Sequence, residues 1–447
     1  GMIYNRGQAA DFDGWAQAGN SGWSYDEVLP YFKRTENRIG ESVDPDYRGV
    51  DGRFTVTTPK WPNELESAFY DAAINAGYPR NDDYNGASQD GVGAYQSSIS
   101  NGWRVSSASA FLKPARRKHK VDVRSNALAT AIMLVGKRAN GVSYRRGGNE
   151  SVVLAKREVI ICAGTLNSPK LLQLSGIGPA KLLKEHGVEV VHDLPSVGEN
   201  LRDHFSPRIV ARAKPGLKSI NQNAAGLPLV GEVFRWLLKR PSVLAISPGR
   251  VHIFGKSSPE LESPDYVLLF APASYKAGMV GVLDDYPGFT VGTWQMRPQS
   301  TGYVRIGSAD PTVNANFNPR YLSDPLDSTI LLSAMKAGRN LLKTEPLASL
   351  VEEEVLPGTQ YKSDDELMGF AKQYGATSFH LVGSCRMGQH SDGSNVVDPR
   401  LRVHGVQALR VIDASVMPTI PSANTAASTM MIAEKGADMV IEDARKN

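Results

Sequence analysis

A chain of 447 residues exceeds what one hydrophobic core organises, so two domains are expected. Its 50 Lys and Arg against 46 Asp and Glu leave a formal charge of only +4, which gives no sign of a nucleic-acid partner. The two cysteines, Cys162 and Cys385, stand in apolar contexts without CxxC or Cys/His ligand spacing, and both read as reduced and buried in a cytoplasmic protein. No apolar run reaches the roughly 18 residues of a membrane span, and no signal peptide or metal-ligand cluster is visible.

From the N-terminus, Ser24 with Glu27 makes a capping-box pattern that opens a helix running to Phe32, with Pro30 disfavouring its later part. Alternation over 51–58 predicts a strand. Residues 63–76 read as an amphipathic helix with Leu65, Phe69, Ala72, Ala73 and Ala76 on one side, capped by Asn63 and ended by Gly77. The Gly/Asn/Gln-rich stretch 82–100 is predicted irregular. Strand-like runs follow at 121–124, 128–135, 142–145, 151–155 and 159–162, and Asn140-Gly141 marks a type I′ hairpin turn. The basic run RRKHK, 116–120, reads as a solvated turn.

The string EVIICAGTLNSPKLLQLSGIGP carries an apolar strand into Ala163-Gly164. A helix is expected to open near Ser168-Pro169, where Pro suits the first turn, and to close at Ser175-Gly176. A turn of Ala and Gly leaves room for a flat ligand to touch backbone, and the helix dipole favours an electron-rich group there; an ordinary α/β connection reads the same way. From 206 to about 375, Gly/Pro turns separate apolar runs at 266–270 and 289–294, and helices are clearest at 328–344 and 364–374.

The C-terminal stretch holds TSFHLVGSCRMG and then LRVIDASVMPTIPSANTAASTMMIAEKGAD. Leu409, Val411 and Ile412 read as a buried strand, Asp413, Ala414 and Ser415 as a tight turn, and 429–440 as a helix. His380 and Asn424 are the chemical candidates: an imidazole can take a hydroxyl proton near neutral pH while a carboxamide holds the oxygen. Each alone also reads blandly, His380 as a hydrogen-bonded core histidine and Asn424 as a helix cap.

Taken together these motifs resemble the glucose-methanol-choline oxidoreductases. That family carries a His before a Gly-Thr/Ser-Cys-Arg/Ser-Met run, an Asp-Ala/Gly-Ser turn, and a His or Asn ten residues before an AEK-like segment; His380, Asp413, Ala414 and Asn424 match, with Glu434 fixing the count. GTLNSPKLLQLSGIG fits the family's second signature, and VGENLRDH resembles the close of its flavin domain. The resemblance implies a mixed α/β fold: an incomplete Rossmann-like FAD-binding domain over 1–205 with a lid insertion at about 51–100, a substrate domain over 206–375 with an antiparallel sheet backed by helices, and a return to the FAD domain over 376–447. It implies FAD as cofactor, His380 and Asn424 as the catalytic pair, and Gly1, Ile3, Ala129, Ala163, Gly164, Asp413, Ala414, Thr425 and Ala426 along the cofactor. Neither Gly91-Val92-Gly93 nor Gly176-Ile177-Gly178 fits a GxGxxG phosphate loop, so the chain is expected to be N-terminally truncated, with weak FAD binding. The implied reaction is oxidation of a primary or secondary alcohol, with oxygen or a quinone as electron acceptor. A cyanohydrin-splitting lyase and a fragment that does not retain FAD stay open as alternatives.

Overall fold

The alternating apolar runs of the middle of the chain form one antiparallel sheet. In the computed structural model, which describes residues 1–40, 43–276, 281–389 and 394–446, its six strands lie in the order Val351–Leu356, Arg208–Ala213, Gly288–Gln295, Tyr266–Ala271, Val251–Gly255 and Gly91–Ala94. The period of two sends Ile209, Val291, Phe270, Leu268, Val251 and Ile253 to one face, where they pack with Leu65 and Phe69 of the helix Glu64–Asn75 and with Ile330, Ala334 and Leu341 of the helix Pro325–Leu341. Phe69 stacks on Phe270 with ring centroids 4.4 Å apart. A Cβ on Gly338 would lie 2.7 Å from Ile209 Cδ1, so the absence of a side chain lets the long helix lie close on the sheet. The opposite face presents the cross-strand row Phe254, Val267 and Trp294, which clusters with Tyr84, Tyr95 and Met296.

The second core is built from both ends of the chain, with Phe12, Trp15 and Phe32 packing in one cluster with Val382, Val411 and Met431. Its central element is a parallel pair, Val159–Ile161 beside Leu409–Val411, each strand running into a tight turn at the same edge. The three-stranded antiparallel sheet Ala127–Val135, Arg138–Arg146, Asn149–Leu154 flanks it.

Several expectations are corrected by packing. The hairpin turns at Gly136, not at Asn140-Gly141, which lie inside the middle strand. A Cβ on Gly141 would sit 2.6 Å from the Val153 carbonyl, so this glycine serves the approach of the third strand. Within 82–100, predicted irregular, Gly91–Ala94 is the edge strand of the six-stranded sheet, so that sheet draws on more than 206–375. Residues 121–124 form no strand, the strand within 51–58 shrinks to Phe54–Val56, and Cys162 is exposed. The helix capped by Ser24 continues through Pro30 to Thr35, and the last helix spans Ala426–Lys446.

The helix after Ala163 also starts earlier than Pro169 suggests. It runs Gly164–Leu174 with Pro169 inside it. Proline has no N–H to give to the carbonyl four residues back. Here that carbonyl, of Thr165, accepts instead from the Ser384 hydroxyl at 2.5 Å. Both residues are buried. Ser384→Ala is therefore expected to strand a buried carbonyl and lower stability by about 1–3 kcal/mol; a urea midpoint equal to that of the parent protein would refute this.

Candidate active site

His380 is held by its backbone. Its N–H donates to Asp203 Oδ1 at 2.8 Å, while the hydroxyls of Thr377 and Tyr321 donate to Asp203 Oδ2 at 2.5 and 2.6 Å. Arg202 and Val382 exchange N–H···O bonds of 3.0 and 2.9 Å, and Ser378 N–H donates to the His204 carbonyl at 2.9 Å. This double clamp turns the chain sharply enough that Phe379 adopts a φ of +60°. Asn424 stands just before the helix Ala426–Lys446, behind a segment fixed by Ser422, whose N–H and hydroxyl both donate to Asp11 at 2.8 Å.

These constraints bring the two predicted catalytic side chains into contact, with Asn424 Nδ2 2.9 Å from His380 Nε2. The other ring nitrogen, Nδ1, lies 3.0 Å from Nδ1 of His204, and His204 Nε2 lies 2.7 Å from the Met296 carbonyl. The Trp294 ring closes the other side, 6.2 Å from the His380 ring. Asn424 Oδ1 is buried without a hydrogen-bond partner among the described residues. Burial holds His380 well below the usual imidazole range, with a smaller contribution from the charge of His204. Burial likewise pushes His204 down to about 4.

His204 is the ring neighbour of His380 that sequence reasoning missed. It closes the VGENLRDH string, and its signal was adjacency to Asp203. Cys385, by contrast, is fully buried, and burial with the nearby Asp413 carboxylate raises its thiol far above the normal range, which suits packing.

The cofactor candidates divide into groups. Asp413 Oδ2 accepts from Gly164 N–H at 2.9 Å and from the Ser168 hydroxyl at 2.5 Å, while Oδ1 accepts from Ser415 N–H at 2.8 Å and from its hydroxyl at 2.5 Å. The carboxylate thus joins the Ala163-Gly164 turn to the Asp413–Ser415 turn, and it supplies the negative group expected at that helix N-terminus. The His380 segment is stitched to the same place: Thr165 donates to the Leu381 carbonyl at 2.7 Å, and Gly383 N–H to the Ala414 carbonyl at 3.3 Å. Ile3 packs against the Trp294 cluster. Ala129 lies exposed on its strand, and no hydrogen bond or bridge joins it to these turns.

These residues fit a flat, electron-rich group. A Cβ on Gly164, whose φ is +81°, would meet no atom within 4 Å, and Ala163 is exposed beside it. Exposed Ala426 opens a helix of 21 residues whose N-terminal dipole favours negative charge, and the unpartnered Asn424 Oδ1 lies next to it. Gly91-Val92-Gly93 sits in a sheet and Gly176-Ile177-Gly178 follows a helix, so neither forms a phosphate loop. Among the described residues no group of three His, Cys, Asp or Glu could hold a metal, and no helix is long and apolar enough to cross a membrane.

Family comparison agrees with this geometry. Residues 1–206 and 298–433 match the N- and C-terminal models of the GMC oxidoreductases, and the chain is 39% identical over 450 residues to the oxygen-dependent choline dehydrogenase 1 of Chromohalobacter salexigens. The chain belongs to the GMC oxidoreductases. The Chromohalobacter alignment covers 98% of this chain and 78% of the relative, and the Staphylococcus saprophyticus oxygen-dependent choline dehydrogenase is 36% identical at the same coverage. Among solved structures, pyridoxine 4-oxidase from Mesorbium loti superposes with a TM-score of 0.87 at 27% identity, covering 99% of this chain and 82% of that one. Formate oxidase gives 0.90 at 25%, covering 100% and 83%. This GMC oxidoreductase is a flavin-dependent alcohol oxidoreductase with FAD as its cofactor and a small alcohol as its substrate. These alignments take in nearly all of this chain and 78% of the curated relatives' length.

Since every lone pair of Asp413 on the two turns already has a donor, Asp413→Asn sets an amide NH₂ against two of them, whichever way it rotates. Stability should fall by about 1.5–3 kcal/mol, and the flavin absorbance retained per protein should fall with it. Unchanged melting and flavin content would show that the carboxylate does not organise the turns.

Proposed function

We propose that this GMC oxidoreductase oxidises its alcohol with His380 as general base and Asn424 as the group that holds the oxygen. The observation that carries this reading is the 2.9 Å contact of Asn424 Nδ2 with His380 Nε2, beside a buried Asn424 Oδ1 left without a partner. The substrate hydroxyl enters between them, and Nε2 takes its proton. Entry of the hydroxyl displaces the Asn424–His380 contact, and the freed Nδ2–H donates to the oxygen as negative charge builds there. The Ala163-Gly164 and Asp413-Ala414 turns, with Gly1, Ile3, Thr425 and Ala426, would hold FAD, which when bound would supply the acceptor for the hydride of the carbinol carbon. The Trp294 wall and the burial of His380 keep water from competing for the base.

Anaerobic stopped-flow bleaching of the flavin by alcohol tests the pair. His380→Ala should slow bleaching about 10² to 10⁴-fold, and Asn424→Ala should cost about 1.5–3 kcal/mol, one hydrogen bond to a charged group. Absence of bleaching in the parent protein would favour a lyase, and unchanged rates in His380→Ala would remove that histidine from the mechanism. Because burial holds His380 well below 6.5, the base is already neutral there. The bleaching rate should stay flat from about pH 9 to pH 6.5 and fall only in more acid solution, as the ring gains its proton. A step above pH 7 that disappears in His380→Ala would contradict this.

The charge around the site bears on the substrate. The carboxylates that contact the His380 and Asn424 segments are committed, Asp203 to its four partners' hydrogen bonds, Asp413 to the turns and Asp11 to Ser422 and Arg297. Arg208 lies opposite Gly292 in register and so shares the face of Trp294. A quaternary ammonium substrate, as the names of the choline dehydrogenases imply for them, would find aromatic surface here, while the described carboxylates that contact these segments are already committed. Neutral alcohols of similar size are therefore expected to show a higher kcat/KM than choline, by up to about 5-fold, the worth of one exposed charge contact; a screen in which choline is preferred would refute this.

A further inference from the structure

Two imidazoles face each other across 3.0 Å through their Nδ1 atoms, and such a contact is attractive only when one proton lies between them. Which ring owns that proton follows from the far side of His204. Its Nε2 is 2.7 Å from the Met296 carbonyl, and a carbonyl can only accept. His204 therefore carries its proton on Nε2. Held neutral by complete burial, it leaves a bare lone pair on Nδ1. The shared proton then belongs to Nδ1 of His380, and the neutral His380 ring must present Nε2 unprotonated, toward Asn424 Nδ2, which can only donate. All three contacts run in one direction: Asn424 to His380, His380 to His204, His204 to Met296.

We propose that His204 is a positioning residue that fixes His380 in the one tautomer able to act as a base, an inference that rests on the reading of His380 as the proton acceptor. A histidine in water favours the opposite form, with the proton on Nε2, which could not accept the substrate proton. His204 is well placed to impose the less common form, because its own position is not adjustable. Its ring lies at 87° to that of His380 with centroids 5.2 Å apart, and it packs beside Trp294 at 6.2 Å. Its carbonyl accepts from Ser378, and its chain neighbour Asp203 accepts from the His380 N–H, so the two rings are coupled through the backbone as well as through their nitrogens. Once His380 takes the substrate proton on Nε2, its Nδ1–H donates as a cation to the same lone pair, and the contact strengthens. His204 touches neither substrate nor cofactor in this scheme. It acts only through His380.

The test needs both a direct reading of the proton and a pair of variants. In protein labelled with ¹⁵N-histidine, the His380 signals, assigned by their loss in His380→Gln, should show a protonated Nδ1 and a bare Nε2 at pH 7.5, with or without FAD. His204→Gln offers an amide oxygen to His380 and an amide N–H to Met296, so it should keep this pattern and bleach within a few-fold of the parent rate. His204→Leu offers neither, so its His380 should move toward protonation on Nε2, and the limiting rate of flavin bleaching should fall about 10- to 100-fold, the usual cost of losing a partner that orients a functional histidine. Its apparent substrate dissociation constant should change little. A parent spectrum with the proton on Nε2, or a His204→Leu protein with parental spectrum and rate, overturns the proposal. So does a folded His204→Gln protein as slow as His204→Leu. Failure of the base reading itself is separate and visible: His380→Ala would bleach at the parental rate while the parent spectrum still showed the Nδ1 proton.

Discussion

A single carboxylate, that of Asp413, holds together the parts on which the site depends. The two parallel strands end side by side, and each must turn at once, one into Gly164 and the other into Ala414. Backbone amides at such turns have no ladder partners, and a neutral side chain could satisfy only some of them. Asp413 accepts from both turns through four donors, so the geometry of one turn is fixed relative to the other. The segment bearing His380 then docks on the same pair through Thr165, Ser384 and Gly383. The two turns and the His380 segment are thereby referred to one point in the fold.

The electrostatics of the base follow from what Asp203 does and does not touch. Carboxylates beside histidine rings usually raise their affinity for protons. Here the carboxylate takes the His380 backbone N–H and two hydroxyls, and the ring meets a neutral imidazole. No negative charge is paired with the ring to offset its burial. The result is a weakly basic lone pair on Nε2 that only the Asn424 amide engages, set beside Trp294 and His204. With His380 as the proposed base, such a site would rely on orientation and on the proposed oxygen-holding amide for rate, because the driving force for proton transfer from the ground-state hydroxyl is small.

The sequence made some of this legible and hid the rest for definite reasons. The cap at Asn63, the capping box at Ser24 and the apolar runs at 266–270 and 289–294 are local signals, and the elements appear where local physics puts them. The pairing of His380 with Asn424 was readable only as a joint pattern, since each residue alone has an ordinary role. Pro169 misled because the donor that excuses it, Ser384, is far away in the chain. Asn140-Gly141 misled because the glycine answers to a neighbouring strand and not to a turn. His204 left no periodicity to notice. Its meaning lies entirely in a contact with a residue 176 positions later.

The strand Gly91–Ala94 makes the two halves of the molecule inseparable in a practical sense. It covers the edge of Val251–Gly255, which would otherwise present a row of free backbone donors and acceptors flanked by Phe254 and Ile253. A piece cut at 206–375 would carry that edge uncovered and would offer it to the next copy. The six-stranded sheet is therefore not a module that can be transplanted on its own numbering. Any chimera that exchanges it must also carry the short glycine-rich strand from the first hundred residues, or it will trade a new specificity for aggregation.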